Sequence, residues 1–350
     1  MGAGRVAAGV LVATALLSAS ASAVLGRTVV DGAGRRVEVA DRVERVLAAG
    51  GPASILLYTL APERMLGWNR APSVEERAFI PARWAALPAL GRLTGRGNTA
   101  NVEAVLAARP DVIVDYGSLA GTYVSLADRV QSQTGVPYVL LDGRLDAVPA
   151  AYRMLGELLA VRERAETLAR EAERLLADTE RRVARVPAAE RPRVYYARGP
   201  RGLETGRAGS INVESLTRVG ARNVAGEGLG GGSLATVSFE QVLAWDPDVI
   251  VTIEAAFAAA APTDPLWSRL RAVREGRLYL APSAPFPWLD FPPSVNRLIG
   301  LRWLERVLYP TRFTGDLRAE TRAFYATFYH RPPEERQLDE LLAGTAPGRR

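Results

Sequence analysis

The feature that most constrains the fold of this chain is a segment that occurs twice. Residues 101–114 read NVEAVLAARPDVIV, and residues 238–251 read SFEQVLAWDPDVIV. In each copy, apolar positions such as Val102, Val105 and Leu106 have helical spacing, and the proline stops the helix because it lacks an amide hydrogen. The Val-Ile-Val run then predicts a strand that is buried on both faces. Two such units, one at a similar position in each half of the chain, predict a tandem of two similar lobes.

The 350 residues are enough for two domains of ordinary size, and strands alternate with helices along both halves. This order predicts an α/β fold with two similar doubly wound lobes. Between Pro149 and Pro187 there is no other proline, and leucine and alanine recur at helical spacing. We therefore expect one long rigid helix to join the lobes, with a ligand cleft between them.

The boundaries of the predicted regions follow from these patterns. Arg5 precedes an apolar run and then Ala21-Ser22-Ala23, which is typical of a cleaved export signal. The predicted regions are a signal peptide at 1–23, an N-terminal lobe at 27–146, a connecting helix at 147–188, a C-terminal lobe at 189–330, and a polar tail at 331–350. We expect the mature protein to lie in a periplasm.

Composition excludes several classes of function. The chain has no cysteine and no lysine, so its 44 basic residues are all arginine, and they are interleaved with 38 acidic residues. No basic block with interleaved aromatic residues is present, which argues against nucleic-acid binding. The single histidine, His330, excludes a histidine-based triad or a multi-histidine metal site, and we expect it on the surface. The sequence therefore predicts a protein that is not an enzyme and has no cofactor.

Candidate ligand contacts follow from the rule that open α/β sheets bind ligands outside the carboxyl ends of their strands. Arginine offers a two-pronged donor for oxyanions, and aromatic side chains pack on flat ligand surfaces. Ser54 is expected at the N-terminus of a helix, where free amides favour negative charge. The alternative for any single arginine is a solvated charge on the surface. Trp288 is either a wall of the ligand site or a residue of the core. The candidates are Ser54, Arg96, Tyr116, Arg198, Arg207, Trp288 and Arg297.

The doubled Asn-Val-Glu…Pro-Asp-Val-Ile and Ser-Phe-Glu…Pro-Asp-Val-Ile segments resemble those of the Fe/B12-type periplasmic substrate-binding proteins of ABC importers. The resemblance covers about residues 27–330. It implies that one ligand is held between lobes that move little. It also implies that Glu103 and Glu240, which are 137 residues apart, dock to arginines of the inner-membrane permease. Taken singly, each glutamate is also an ordinary acid in the first turn of a helix.

The resemblance leaves the ligand open among ferric siderophores, haem, cobalamin, and molybdate or tungstate. The arginines and the shortage of histidine favour an anionic iron(III)–siderophore-like complex. We expect a monomer whose partners are this small molecule and an ABC permease. An oxyanion, haem or cobalamin carrier of the same fold is the alternative, and an exported α/β enzyme is the distant one.

Overall fold

The computed structural model describes residues 26–95 and 102–345. The predicted signal peptide and Arg96 lie outside these residues. Within them no helix is both long enough and apolar enough to cross a bilayer. The strands are β1 (Gly26–Val30), β2 (Arg36–Ala40), β3 (Val46–Ala48), β4 (Val112–Gly117), β5 (Tyr138–Asp142), β6 (Arg193–Ala197), β7 (Glu204–Gly206), β8 (Arg222–Asn223), β9 (Leu234–Thr236), β10 (Val249–Thr252) and β11 (Leu278–Leu280).

The α-helices alternate with these strands, and several are short. They are α1 (Gly51–Leu60), α2 (Val74–Arg77), α3 (Ala82–Ala85), α4 (Val102–Ala108), α5 (Gly121–Thr134), α6 (Val148–Leu158), α7 (Arg162–Val183), α8 (Glu214–Arg218), α9 (Val224–Leu229), α10 (Phe239–Trp245), α11 (Ala255–Ala260), α12 (Arg271–Arg274), α13 (Arg297–Leu308), α14 (Leu317–Phe328) and α15 (Glu335–Leu342).

Two separate parallel sheets form the framework. The N-terminal sheet has the order β3-β4-β5, and the C-terminal sheet has the order β11-β10-β6-β8. Alternate residues of β4 enter different apolar clusters, Val112 and Val114 on one face and Ile113 on the other. In β10, Val251 and Ile250 divide in the same way. Both sheets are therefore covered on both faces, which confirms the predicted α/β class with parallel sheets.

The repeated segment forms the same unit twice, as predicted. Helix α4 leads into β4, and helix α10 leads into β10. Each aspartate after the proline binds the chain at the start of the neighbouring strand. Asp111 accepts from the Arg45 amide and Asp248 from the Arg193 amide, both at 2.8 Å, and the amide of each aspartate donates back to the carbonyl of the same arginine. These paired bonds fix which strand lies beside β4 and β10.

The predicted single connecting helix over 147–188 is wrong, because two helices occupy this segment. Helix α6 ends at Leu158, and Ala160 has a left-handed backbone with φ of 56°. The Val161 amide then donates to the Gly156 carbonyl at 2.9 Å, which closes the helix end. A helix end of this kind ordinarily has glycine at the left-handed position. Because Ala160 stands there instead, the sequence did not indicate that the helix ends.

The predicted polar tail at 331–350 is also wrong within the described residues. Helix α15 buries Leu338 completely, and the Trp303 indole donates to Thr345. His330, expected on the surface, is partly buried instead. It lies beside Trp84 and bonds the Tyr58 carbonyl at 2.9 Å, and burial lowers its pKa. The C-terminal segment thus packs against the N-terminal part of the chain.

Candidate functional site

A cavity of about 950 Å³ opens at the carboxyl ends of the strands, where the sequence placed the ligand cleft. Its wall is shared by the two halves of the chain. Residues from the N-terminal half include Pro52, Ser54, Ile55, Trp68, Thr94, Asp115, Tyr116 and Tyr123. Residues from the C-terminal half include Arg198, Ser210, Asn212, Ser233, Phe286, Asp290, Phe291 and Pro292.

Ser54 lines this cavity, but its place in the helix differs from the prediction. Helix α1 begins at Gly51, and the Ser54 amide already donates to the Gly50 carbonyl at 3.0 Å. Gly50 therefore caps the helix, and the backbone amide of Ser54 is used inside it. The buried Ser54 hydroxyl has no hydrogen-bond partner within the described residues. That hydroxyl can serve a polar group of a ligand.

Asp115 and Tyr116 lie near the carboxyl end of strand β4 and line the cavity. Asp115 is almost fully buried and accepts from the Tyr116 amide at 3.0 Å, the Tyr138 hydroxyl at 3.2 Å and the Thr94 hydroxyl at 3.3 Å. Burial raises the pKa of Asp115 to about 6, and these hydrogen bonds oppose the rise. Burial also raises the pKa of Tyr116 to about 12. The Tyr116 hydroxyl is therefore neutral at any physiological pH.

Arg198 is in the cavity wall, as predicted, and is held there by carboxylates. Its Nε lies 2.8 Å from Asp290, and its guanidinium also pairs with Glu204. Asp290 is fully buried, and it accepts from the Asn212 side chain at 2.7 Å as well. The carboxylates raise the pKa of Arg198 despite its burial. The network holds a permanently charged guanidinium at the wall, and its two carboxylate partners compensate that charge before any ligand arrives.

Phe291 is the most exposed aromatic side chain of the cavity, with 56% of its surface accessible. Its φ of 61° is a left-handed conformation that a bulky residue rarely adopts. The Phe291 amide donates to Asp290 at 2.7 Å, and the Arg198 guanidinium lies 5.9 Å from the ring centre. The same buried carboxylate therefore positions a cation and a flat aromatic surface side by side. The sequence did not predict Phe291 and Asp290 as site residues. In this loop Trp288 was chosen as the ligand wall instead.

Arg297, predicted as an anion contact, does not line the cavity. It is fully buried at the start of α13, where Nη1 binds Glu214 at 2.8 Å and Nε donates to the Ser294 carbonyl at 3.1 Å. Its Nη2 donates to the Gly143 carbonyl. The guanidinium thus makes its hydrogen bonds and its ion pair within the protein, and its role is structural.

Two further candidates also lie away from the cavity. The Arg207 side chain donates to the Leu229 carbonyl and packs against the backbone of Gly232, behind the wall. Trp288 is fully buried, and its indole donates to the Tyr325 hydroxyl at 3.2 Å, so it is a packing residue. Arg96 lies outside the described residues.

The charges around the cavity are mixed, in contrast with the arginine-rich site that the sequence favoured. Arg70 pairs with Glu76, and Arg144 pairs with Asp142. The described charged residues of the lining are Arg70, Arg92, Arg144, Arg198, Glu76, Asp115, Asp142 and Asp290. Across 26–95 and 102–345, no three acidic or imidazole side chains converge to hold a metal ion. The chemistry of this wall is hydrogen bonding, local ion pairing and aromatic packing.

Glu103 and Glu240 are both exposed in the first turns of α4 and α10. Helix α10 begins with a reciprocal cap between Ser238 and Gln241. Hydrogen bonds from its own backbone amide and from the Ser238 hydroxyl lower the pKa of Glu240. The carboxylate of Glu240 is therefore charged and faces solvent at neutral pH.

Comparison with known proteins matches residues 84–285 to a family described as "periplasmic binding protein". An ABC transporter solute binding protein from Sulfurospirillum deleyianum is 30% identical, with a TM-score of 0.82 over 91% of this chain and 99% of that one. The molybdate-binding protein MolA of Haemophilus influenzae is 25% identical over 91% of this chain and 95% of its own length. An ABC-type Fe3+-hydroxamate transport protein from Saccharomonospora viridis shares the fold, at 19% identity and a TM-score of 0.58 over 81% of this chain and 99% of that one.

Proposed function

The chain belongs to the periplasmic binding protein family, and we propose that its cavity binds an iron(III)–siderophore-like complex for delivery to an inner-membrane ABC permease. The observation that carries this proposal is the size and lining of the cavity. Its volume of about 950 Å³ is of the order that encloses a whole organic ligand. A bare tetrahedral oxyanion, with only four oxygens, would leave most of that space empty.

The lining supports the same ligand class. Phe291 and Phe286 offer flat apolar surfaces, and the Arg198 guanidinium stands beside the first of them. Such a wall suits a ligand whose planar arms stack on the aromatic rings. Hydroxyls from Ser54 and Ser210 supply the few polar contacts that fix orientation. We propose that the protein acts as a monomer without a resident cofactor.

Molybdate is the second candidate, because MolA of Haemophilus influenzae resembles most of this chain. The two ligands make different demands on the cavity. A ferric chelate would use the aromatic wall, whereas molybdate would need only a compact set of donors. The aromatic wall therefore distinguishes them.

The test is isothermal titration calorimetry of ligand-free mature protein with ferric catecholate and ferric hydroxamate chelates, haemin, cobalamin, molybdate and tungstate, with sulfate as the control anion. We expect a ferric chelate to bind and sulfate to give no heat. Phe291→Ala should weaken chelate binding by about fivefold, the value of one aromatic contact near 1 kcal/mol. The matched control is Val74→Ala, at a position that is 82% exposed and outside the cavity. If only molybdate binds, and Phe291→Ala does not change its affinity, the ligand is the oxyanion and the chelate proposal is wrong.

Delivery and export have tests of their own. Glu103→Arg combined with Glu240→Arg should abolish transport and leave ligand affinity intact, because both side chains lie on exposed helix turns. Loss of ligand affinity in this variant would contradict a docking role. We also propose that export removes residues 1–23, so the mature protein should begin at Val24 by intact-mass analysis. A periplasmic product that begins at Met1 would contradict cleavage.

A further inference from the structure

Two leucines are exposed at equivalent positions of the repeated unit. Leu106 of α4 is 48% exposed, and Leu243 of α10 is 37% exposed. They are separated by the same 137 positions as Glu103 and Glu240. The helical spacing of the sequence predicted that Leu106 would share the buried face with Val105, and the structure contradicts that prediction. One exposed leucine is ordinary on a protein surface, but its duplication at matched positions needs a cause.

The helices themselves explain why these leucines face solvent. Val105 and Val242, also a matched pair, are fully buried and attach each helix to its sheet. The leucine follows at the next position and turns by about 100° away from that contact. It lies three residues after the glutamate, so the carboxylate and the leucine are neighbours on one face of each helix.

The first turns of both helices lie near the mouth of the cavity. Thr94 and Gly95 line the cavity shortly before α4, and Ser233 and Leu234 line it shortly before α10. Each helix precedes its parallel strand, so its first turn lies at the carboxyl edge of the sheet, where the cavity opens. A protein that contacted both first turns would therefore lie close to the opening.

We propose that Leu106 and Leu243 are docking residues, and that each forms with Glu103 or Glu240 one of two equivalent patches that bind a dimeric membrane permease. The inference rests on the proposed function and adds an apolar contact to the charged one. Two matched acidic and apolar patches fit a partner that presents two equivalent sites, each with a basic group beside an apolar pocket. The carboxylates steer the encounter, and the leucines supply apolar burial that does not depend on salt.

The experiment measures binding of full-length mature protein to its permease complex in lipid nanodiscs, by biolayer interferometry at low and high salt. The variants are Leu106→Ser, Leu243→Ser and the double variant. The matched control is Leu266→Ser, a leucine that is 46% exposed on the surface and lies outside the repeat. The double variant Glu103→Gln with Glu240→Gln measures the contribution of the charged contacts to permease binding. Thermal unfolding and ligand titration of each variant report on folding and on the cavity.

We expect each leucine variant to weaken permease binding by about tenfold, as for a buried interface anchor, at both salt concentrations. The glutamate variant should lose affinity chiefly at low salt, because salt screens exposed charges. Leu266→Ser should bind like the unmodified protein. If the leucine variants bind normally while the glutamate variant does not, the apolar contact is refuted and the proposed function stands. If the unmodified protein does not bind the permease, both are refuted.

Discussion

The Arg297 side chain joins the two halves of the molecule with a single buried guanidinium. It reaches the Gly143 carbonyl after β5 of the N-terminal sheet, and it pairs with Glu214 of α8. Glu214 also accepts from the Leu145 amide at 2.9 Å, so the carboxylate serves both halves as well. Because the guanidinium is fully buried, its loss leaves several acceptors without a donor.

We expect Arg297→Met to lower the free energy of unfolding by about 3 kcal/mol, since it breaks a buried ion pair. Urea denaturation followed by circular dichroism measures this loss. Arg170→Met is the control, because Arg170 is 75% exposed in its pair with Glu166 and should change stability by less than about 1 kcal/mol. Equal effects of the two substitutions would mean that Arg297 does not join the halves.

Asp115 should make stability depend on pH. Burial raises its pKa to about 6, above the value of an unfolded chain, so the folded state holds the proton longer. Its contribution is fully present below about pH 4 and is lost as pH rises through 6, by up to about 1.4 kcal/mol per pH unit. We expect Asp115→Asn to remove this loss. The difference in unfolding free energy between variant and parent should therefore grow from pH 4 to 6 and then level off, and a constant difference would contradict the assignment.

Residue roles were the part that sequence could least predict. Arg198 and Arg297 were both predicted to contact an anion. Both are buried, but Arg198 lines the cavity and Arg297 does not, because their carboxylate partners lie in different places. The partner of Arg297 on α8 lies 83 positions away, and its carbonyl partner lies 154 positions away. Both guanidiniums are already paired with carboxylates, and only the folded chain shows which of the two faces the cavity.

Elements were predicted well where the local pattern decides their structure. The Val-Ile-Val runs became β4 and β10, because β-branched residues suit strands covered on both faces. The connecting segment was predicted badly, because the end of α6 depends on a left-handed alanine and on contact between helices. Gly156 makes that contact possible, since a Cβ there would lie 2.2 Å from Ala165.

This contact predicts an unusual response to a helix-favouring substitution. Gly156→Ala should destabilise the protein by about 1–3 kcal/mol, because the added methyl group forces α6 and α7 apart. Gly121→Ala is the control, because Gly121 begins α5 with open space around it and should be neutral or slightly stabilising. Thermal denaturation of both variants measures the difference. A more stable Gly156→Ala variant would show that the two helices are not in such close contact.

At the scale of the whole molecule, several contacts tie the two halves together around the cavity. Besides Arg297, the Ser294 hydroxyl donates to the Pro52 carbonyl at 2.8 Å, and Pro292 packs directly on Gly51. The Tyr58 hydroxyl donates to the Tyr329 carbonyl at 2.6 Å. These contacts oppose a large hinge motion, because they hold the two halves together at several separate places.

We therefore expect the radius of gyration to stay the same when the protein binds its ligand. Small-angle X-ray scattering of the ligand-free and ligand-saturated protein measures this directly. Arg297→Met offers a comparison, since it removes one of the ties and should allow a measurable change. A clear compaction of the unmodified protein on binding would contradict the role of these contacts.

The packing of Tyr329 and His330 beside Tyr58 also has a consequence for how the chain matures. Residues near the end of the sequence complete an aromatic cluster that belongs to the first helix after β3. The first half of the chain emerges from the ribosome long before these residues are synthesised. During that interval the cluster lacks its cover, so the nascent polypeptide cannot reach its final packing. Completion of the N-terminal half therefore waits for the synthesis of Tyr329 and His330.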